Sequence, residues 1–244
     1  MNETPALYLI PSGLSQAVPP EASLPAPALV RIRGLRDFVV ENAKTARRFL
    51  AACGHPGPMA DIAMGILDEH TRPADVAALL VRLRAGRSMG LLSEAGAPAV
   101  ADPGALLVAQ AHAEGLRVVP VAGPSAILLA LMASGLDGQR FRFAGYLPVP
   151  AAQRRAAIGE LESRSASARE TQVLIETPYR NDALFADLLA TLRPQTRLAI
   201  AADLTGPAES IRMAEVGDWR RRPVPPGRHP AIFLLLAAGA KSRG

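Results

Sequence analysis

Aromatic residues make up only 4% of the 244-residue chain, lysine occurs twice (Lys44 and Lys241), and Cys53 is the only cysteine. Each shortage excludes something. A single cysteine rules out an intrachain disulfide and a cysteine-based zinc cluster, which is the usage of a reducing compartment. Scarce aromatics argue against a surface of stacking platforms for single-stranded nucleic acid. No apolar run reaches the roughly 18–20 residues that a membrane span needs. The opening Met-Asn-Glu-Thr-Pro lacks the basic start of a signal peptide, so a cytoplasmic location and no membrane partner are expected. His55, His70, His112 and His229 lie far apart without ligand spacing, and no metal is expected. The G-x-G-x-x-G and G-x-x-x-x-G-K-S/T phosphate cradles, the G-x-S-x-G elbow and the H-E-x-x-H helix are all missing.

What is present is apolar and arginine-rich. A hydrophobic share of 49% over 244 residues supplies one large or two small domains with a sizeable core. The formal charge of +5 comes from 27 basic residues, all but two of them arginine. Guanidinium groups grip phosphates bidentately, so this balance fits an anionic partner; it fits a nucleotide-biased genome equally well. Buried strands are expected at Ala6–Pro11, Ile62–Leu67, Met89–Leu92 and Leu116–Val121, with a short one at Leu29–Arg33. Amphipathic helices are expected over Arg36–Cys53 and Pro73–Ala85. This alternation points to a parallel α/β sheet. A boundary near Val121 separates residues 1–121 from a second α/β domain, 122–244. There, helices are expected at Ala151–Ser163 and Asp182–Leu192, strands at Thr171–Glu176, Leu198–Ala202, Glu209–Glu215 and Ala231–Ala237, and a turn at Val216–Trp219. The expected fold is therefore two α/β domains, each with its own mixed, mainly parallel sheet.

The stretch Met89–Leu107 stands out. An apolar run is cut by Ser93-Glu94-Ala95-Gly96-Ala97-Pro98 and again by Asp102-Pro103-Gly104 before a helix begins. In open α/β sheets, ligands bind outside the carboxyl ends of the strands, where small residues let them approach the backbone. The loops Pro11–Leu14, Gly123–Ala126, Thr177–Arg180 and Leu204–Thr205 are further candidates for the same crevice.

These loops carry a resemblance. Ser93–Pro98 with Asp102-Pro103-Gly104, Val119–Ala126 running to Ala133–Leu136, Phe143–Pro148 with Arg154-Arg155, Ile175–Arg180 and Asp203-Leu204-Thr205 stand in the order and spacing of the tetrapyrrole methylase superfamily. The chain resembles its small-subunit ribosomal RNA 2'-O-methyltransferase I branch from about Met64 onward. The resemblance implies S-adenosylmethionine as methyl donor, a ligand cleft between the two domains, a homodimer and a ribosomal RNA acceptor. It places Ser93, Glu94, Ala95, Gly96, Pro98, Val100, Ser125, Ala126, Tyr179, Leu204 and Thr205 at the donor, and Ser12, Gly13, Arg154, Arg155 and Arg180 at the acceptor.

The first third departs from that branch. Pro11-Ser12-Gly13-Leu14-Ser15 stands where the branch carries P-x-P-I-G-N-L, Glu41-Asn42-Ala43-Lys44 stands for E-D-T-R, and the acidic loop residue is Glu94 rather than Asp. Methyl transfer to a hydroxyl needs alignment and benefits from a base; Glu94, Asp102 and Glu41 are the candidates. Besides RNA methylation, two readings stay open: transfer to a tetrapyrrole, other small-molecule or protein acceptor, and binding of donor or RNA without turnover.

Overall fold

Strands buried on both faces read as continuous apolar runs, and the first of these, β1 (Ala6–Ile10), is buried along nearly its whole length. The computed structural model describes residues 4–238. Its chain divides between Ser125 and Ala126 into two units.

The first unit continues with α1 (Ala26–Gly34), β2 (Asp37–Val40), α2 (Ala43–Ala52), β3 (Ala63–Ile66), α3 (Pro73–Val76), α4 (Val81–Arg84), β4 (Met89–Leu92), α5 (Gly104–Ala113) and β5 (Arg117–Pro120). Its five strands form a wholly parallel sheet in the order β3-β2-β4-β1-β5. Alternate side chains feed two cores. Tyr8, Ile10, Phe38 and Leu92 meet Leu29, Ile32 and Leu50 on one face. Leu7, Val39 and Leu91 meet Val76, Leu80 and Leu107 on the other. Gly90 is needed where β4 passes Phe38, because a Cβ there would lie 2.6 Å from the ring.

Three local expectations are corrected in this unit. Leu29–Arg33 is not a strand but part of α1, which starts just after Pro25. Leu29 and Ile32, three apart, turn inward while Val30 stays 67% exposed. The helix expected over Arg36–Cys53 splits, since Asp37–Val40 is buried at four consecutive positions, as only a central strand allows. The helix proper begins after Asn42, whose Oδ1 accepts from the backbone N–H groups of Lys44 (2.9 Å) and Thr45 (3.3 Å). The segment Pro73–Ala85 is helical but broken, with a 3₁₀ stretch at Ala77–Leu80 between α3 and α4.

The second unit holds α6 (Ala126–Ser134), β6 (Phe141–Gly145), α7 (Ala151–Ala168), β7 (Thr171–Glu176), α8 (Asn181–Thr191), β8 (Arg197–Ala202), β9 (Ser210–Glu215), α9 (Val216–Arg221) and β10 (Ala231–Leu236). Its strand order is β6-β7-β10-β8-β9. The α/β class holds, but the expectation of a mainly parallel sheet does not carry over here: only β6 and β7 run parallel, and β10 pairs antiparallel with both β7 and β8. Only the β6–β7 connection has a long helix, α7, joining neighbouring strands; β8 and β9 are joined by a short loop, which permits only the antiparallel pairing. Val216–Trp219 is not a turn but the start of α9, and its buried Trp219 donates from Nε1 to the Leu198 carbonyl at 2.9 Å.

Besides apolar packing through Ile158, Leu161, Leu184 and Leu188, an ion pair ties α7 to α8. Arg154, 7% exposed, places Nη2 2.6 Å from Asp187 Oδ2 and donates from Nη1 to the Val149 carbonyl at 2.7 Å. Removing one member of a buried pair leaves the other charge uncompensated, at a cost of about 3–5 kcal/mol. Asp187→Ala is expected to destabilise the second unit by that amount in denaturant titrations followed by the fluorescence of the single tryptophan, Trp219. Combining Arg154→Met with Asp187→Leu is expected to recover most of the loss.

Candidate functional site

A parallel sheet places the carboxyl ends of all its strands at one edge, and in the first unit the loops leaving β1, β2 and β4 meet there. Ser12 and Gly96 exchange both backbone hydrogen bonds, at 2.9 and 3.1 Å. The buried Ser12 hydroxyl adds a third tie, donating to the Ser93 carbonyl at 2.8 Å. Gly96 adopts φ +72°, and a Cβ there would press within 3.2 Å of Leu14. A glycine is therefore what lets the two loops close on each other.

Beside this bridge lies an open cleft, lined among others by Ser12, Gly13, Glu41, Thr45, Phe49 and Glu94. Two carboxylates stand at it. The Glu94 backbone N–H donates to Glu41 Oε1 at 3.1 Å. The Glu94 Oε1 lies 2.5 Å from the Thr45 hydroxyl. That hydroxyl also lies 3.0 Å from the Asn42 carbonyl, but it has one proton, and the shorter approach to a carboxylate takes it. Partial burial pushes the Glu41 carboxyl above the usual carboxylate range; the Glu94 N–H pulls the other way, and the negative charges of Asp102 and Glu94 add to the rise.

The loop beyond Glu94 is held from within. Asp102 accepts from the Ala99 N–H at 2.8 and 3.0 Å and from the Gly104 N–H at 2.7 Å. These bonds span Ala99 and Ala101, two non-glycine residues at positive φ. The Asp102 carboxyl is likewise raised by burial, against the pull of those N–H groups.

Residues 36–219 match the family model described as Tetrapyrrole (Corrin/Porphyrin) Methylases. The chain belongs to this family. A Pseudomonas aeruginosa protein named ribosomal RNA small subunit methyltransferase I is 34% identical over 191 residues, 77% of this chain and 66% of that protein. Proteins of the same name from Vibrio cholerae and Neisseria meningitidis serogroup B are 29% and 31% identical, over 100% and 89% of this chain and 80% and 67% of theirs. The chain thus spans about two thirds of the length of the Pseudomonas protein. Among solved structures, the methyltransferase CobJ overlays with a TM-score of 0.62 at 16% identity, covering 99% of this chain and 98% of that one. Uroporphyrin III C-methyl transferase from Thermus thermophilus gives 0.58 at 21%, covering 95% and 97%. At these identities the likeness speaks for the fold.

In this chain the expected donor residues fall in two groups. Ser93, Glu94, Ala95, Gly96, Pro98 and Val100 form one loop of the first unit, with Gly96 and Pro98 buried and Ala95 and Val100 exposed; Ser125 is the last residue of that unit. Ala126 opens α6 in the second unit. Both β7 and β8 run opposite to β10, so the loops after them share an edge of the second sheet. Tyr179, 76% exposed, stands on the first of these loops; Leu204, buried, and Thr205, at φ +64°, stand on the second.

The expected acceptor residues divide. Ser12 and Gly13 line the cleft. Arg154 and Arg155 both close on Asp187, and Arg180 pairs with the buried Glu176 at 2.9 Å while donating to the Leu147 carbonyl. Each of the three is thus engaged in an ion pair within the second unit. Asp102, one of the candidate bases, spends its oxygens on the loop. Thr45 and Asn42 are missed by sequence reasoning because the strand ahead of them merges with the helix into one apolar segment. The signal is nonetheless present: an Asn one residue beyond an apolar run, in the capping position of α2.

A carboxyl whose pKa is raised on folding contributes stability that is present below its ordinary range and lost as pH rises through the raised value. Glu41→Gln is therefore expected to raise the melting temperature at neutral pH and to leave it unchanged in acid, below the usual carboxylate range. A pH series of thermal unfolding curves checks this, and a mutant less stable than wild type at neutral pH contradicts it.

Proposed function

We propose that the chain is an S-adenosylmethionine-dependent methyltransferase acting on a ribose hydroxyl of small-subunit ribosomal RNA. The observation that carries the reading is the pair Glu41 and Glu94, a carboxylate of raised proton affinity beside a second one aligned by Thr45, at a cleft on the carboxyl edge of a parallel sheet. The names of the relatives supply the small-subunit ribosomal RNA, and the resemblance to the 2'-O-methyltransferase I branch supplies the ribose hydroxyl. A donor with polar edges fits the loop Ser93–Val100, whose small side chains leave the backbone approachable and whose shape is fixed by Asp102 and by the bridge to Ser12. The donor, when bound, supplies an electrophilic methyl group on a sulfonium.

The chain's own part is alignment and proton removal. The cleft holds the acceptor hydroxyl, and Glu41, with its raised proton affinity, takes the proton as the oxygen–carbon bond forms and the carbon–sulfur bond breaks, its electron pair passing to sulfur. Glu94, fixed by the Thr45 hydroxyl and held to Glu41 through its own N–H, keeps the base in place. The same reading carries a cytoplasmic place of work and a homodimer.

One observation favours a second reading, transfer to a different acceptor. Of the departures from the ribosomal RNA branch, Ser12, Gly13, Ser15, Asn42 and Glu94 line the one cleft. Incubating the purified protein with methyl-labelled donor and either small ribosomal subunits or a tetrapyrrole precursor separates the two. Label in the ribose of small-subunit RNA is expected; label only in the tetrapyrrole overturns the RNA assignment, and label in neither, with no donor binding by calorimetry, overturns the enzyme. Glu41→Gln is expected to lower kcat by about 10²-fold or more, the usual worth of a general base, with donor affinity unchanged.

A further inference from the structure

The positively charged side chains of the first unit are nearly all spoken for. Arg82 and Arg87 close on Asp37, Arg84 on Glu114 and Arg72 on Asp75. Those outside α2 that make no such pair rest on carbonyls, on His55 or on the Tyr8 ring. Among the described residues of this unit, the exceptions sit together on α2. Lys44 and Arg47 are exposed and pair with no carboxylate, and Arg48 meets only the neutral Gln16 side chain, donating to Oε1 at 3.1 Å.

Their placement is as particular as their freedom. Positions 44, 47 and 48 are related by three and four residues, so they form one ridge along the helix. Arg48 borders the cleft that Asn42, Thr45 and Phe49 line from the adjoining face of the same helix. A row of cations, each without a counter-charge, running along the lip of a cleft is the electrostatic footprint of a polyanion that passes the cleft and offers one unit into it. A small anionic acceptor needs one or two such charges inside the cleft; a row outside it fits a chain of phosphates.

We propose that Lys44, Arg47 and Arg48 form the rail on which the RNA backbone lies while the target nucleotide enters the Glu41–Glu94 cleft. The inference rests on the RNA reading above and adds to it a location: the phosphate contacts belong to α2, not to Arg154, Arg155 and Arg180. It also says how the contacts work. Cations that bind phosphates release counterions and carry no sequence information, so α2 sets affinity and register, and the cleft sets which nucleotide reacts.

The test is equilibrium binding of a fluorescently labelled single-stranded RNA of small-subunit ribosomal sequence over a series of salt concentrations. For the triple variant Lys44→Gln, Arg47→Gln, Arg48→Gln, the slope of log affinity against log salt is expected to fall by about 2, at roughly 0.7 per phosphate contact on a single strand. Affinity at low salt is expected to fall at least about tenfold. Donor affinity by calorimetry and the melting temperature report that the variant is folded, and Arg72→Gln, equally exposed but paired, is expected to bind like wild type. A triple variant with wild-type affinity and slope overturns the rail and leaves the RNA reading standing. A wild type that binds no RNA yet methylates a tetrapyrrole overturns both. Loss of binding confined to vesicles of anionic lipid, with RNA binding intact, assigns the ridge to a membrane surface and overturns the proposal.

Discussion

Ser12 and Gly96 are 84 positions apart in the chain, yet they exchange both of their backbone hydrogen bonds, and the site depends on that exchange. It follows from register. Because Ile10 lies opposite Leu92 in a parallel pair, the two strands end level and their loops emerge side by side. The bridge then converts two separate connections into one wall, and the Ser12 hydroxyl on the Ser93 carbonyl fixes its angle. Val40 also lies opposite Leu92 on the other side of β4, so Glu41 emerges at the same level. Three loops distant in sequence are brought into contact by a single property of the sheet, that parallel strands share one carboxyl edge.

The apolar runs make most of this sheet legible in the sequence. Strands β1, β3, β4 and β5 announce themselves because their runs are short, apolar and bounded by turn residues. The failures have particular causes. Asp37-Phe38-Val39-Val40 is hidden by its neighbours, since a four-residue strand with a helix close behind it shares an apolar density with that helix, and periodicity over a longer window averages the two. Leu29–Arg33 alternates apolar and basic residues like a strand, but Pro25 and Pro27 ahead of it favour a first helical turn, and Leu29 and Ile32 then fall on one face. In the second unit the strands are visible and their direction is not, because β10 enters between β7 and β8 only through a pairing between residues distant in sequence. The loop Ser93–Gly104 is legible from its glycines and prolines. The contribution of Thr45 is not, because it depends on where α2 begins.

The charged groups divide along a line that composition alone hides. The resemblance places Arg154 and Arg180 at the acceptor, but each is matched to a buried carboxylate, Asp187 or Glu176, that would be costly to leave alone. An arginine so placed has a structural task whatever else it touches. Glu41 presents the opposite case. Its partial burial beside another acid opposes folding, and nothing in the core requires an acid there. An ionisable group kept where it is electrostatically disfavoured, at the edge of a cleft, is a candidate for chemistry.

The departures from the ribosomal RNA branch bear on the same point. Taken one at a time, the change from Asp to Glu at position 94 is conservative and the change from E-D-T-R to Glu41-Asn42-Ala43-Lys44 is not. The geometry couples them. Glu94 reaches the Thr45 hydroxyl at 2.5 Å; an Asp on the same backbone, one methylene shorter, would fall outside hydrogen-bond distance. Asn42 caps the helix and so sets the position of Thr45 in its first turn, while Ser12, on the loop that replaces P-x-P-I-G-N-L, fixes the strand end from which Glu94 projects. A longer acid, a neutral cap and an altered first loop therefore meet at one place, where the Glu94 carboxylate reaches Thr45 on α2. These departures share one cleft of the first unit, and the helix that Glu94 reaches is the one whose outer face carries Lys44, Arg47 and Arg48.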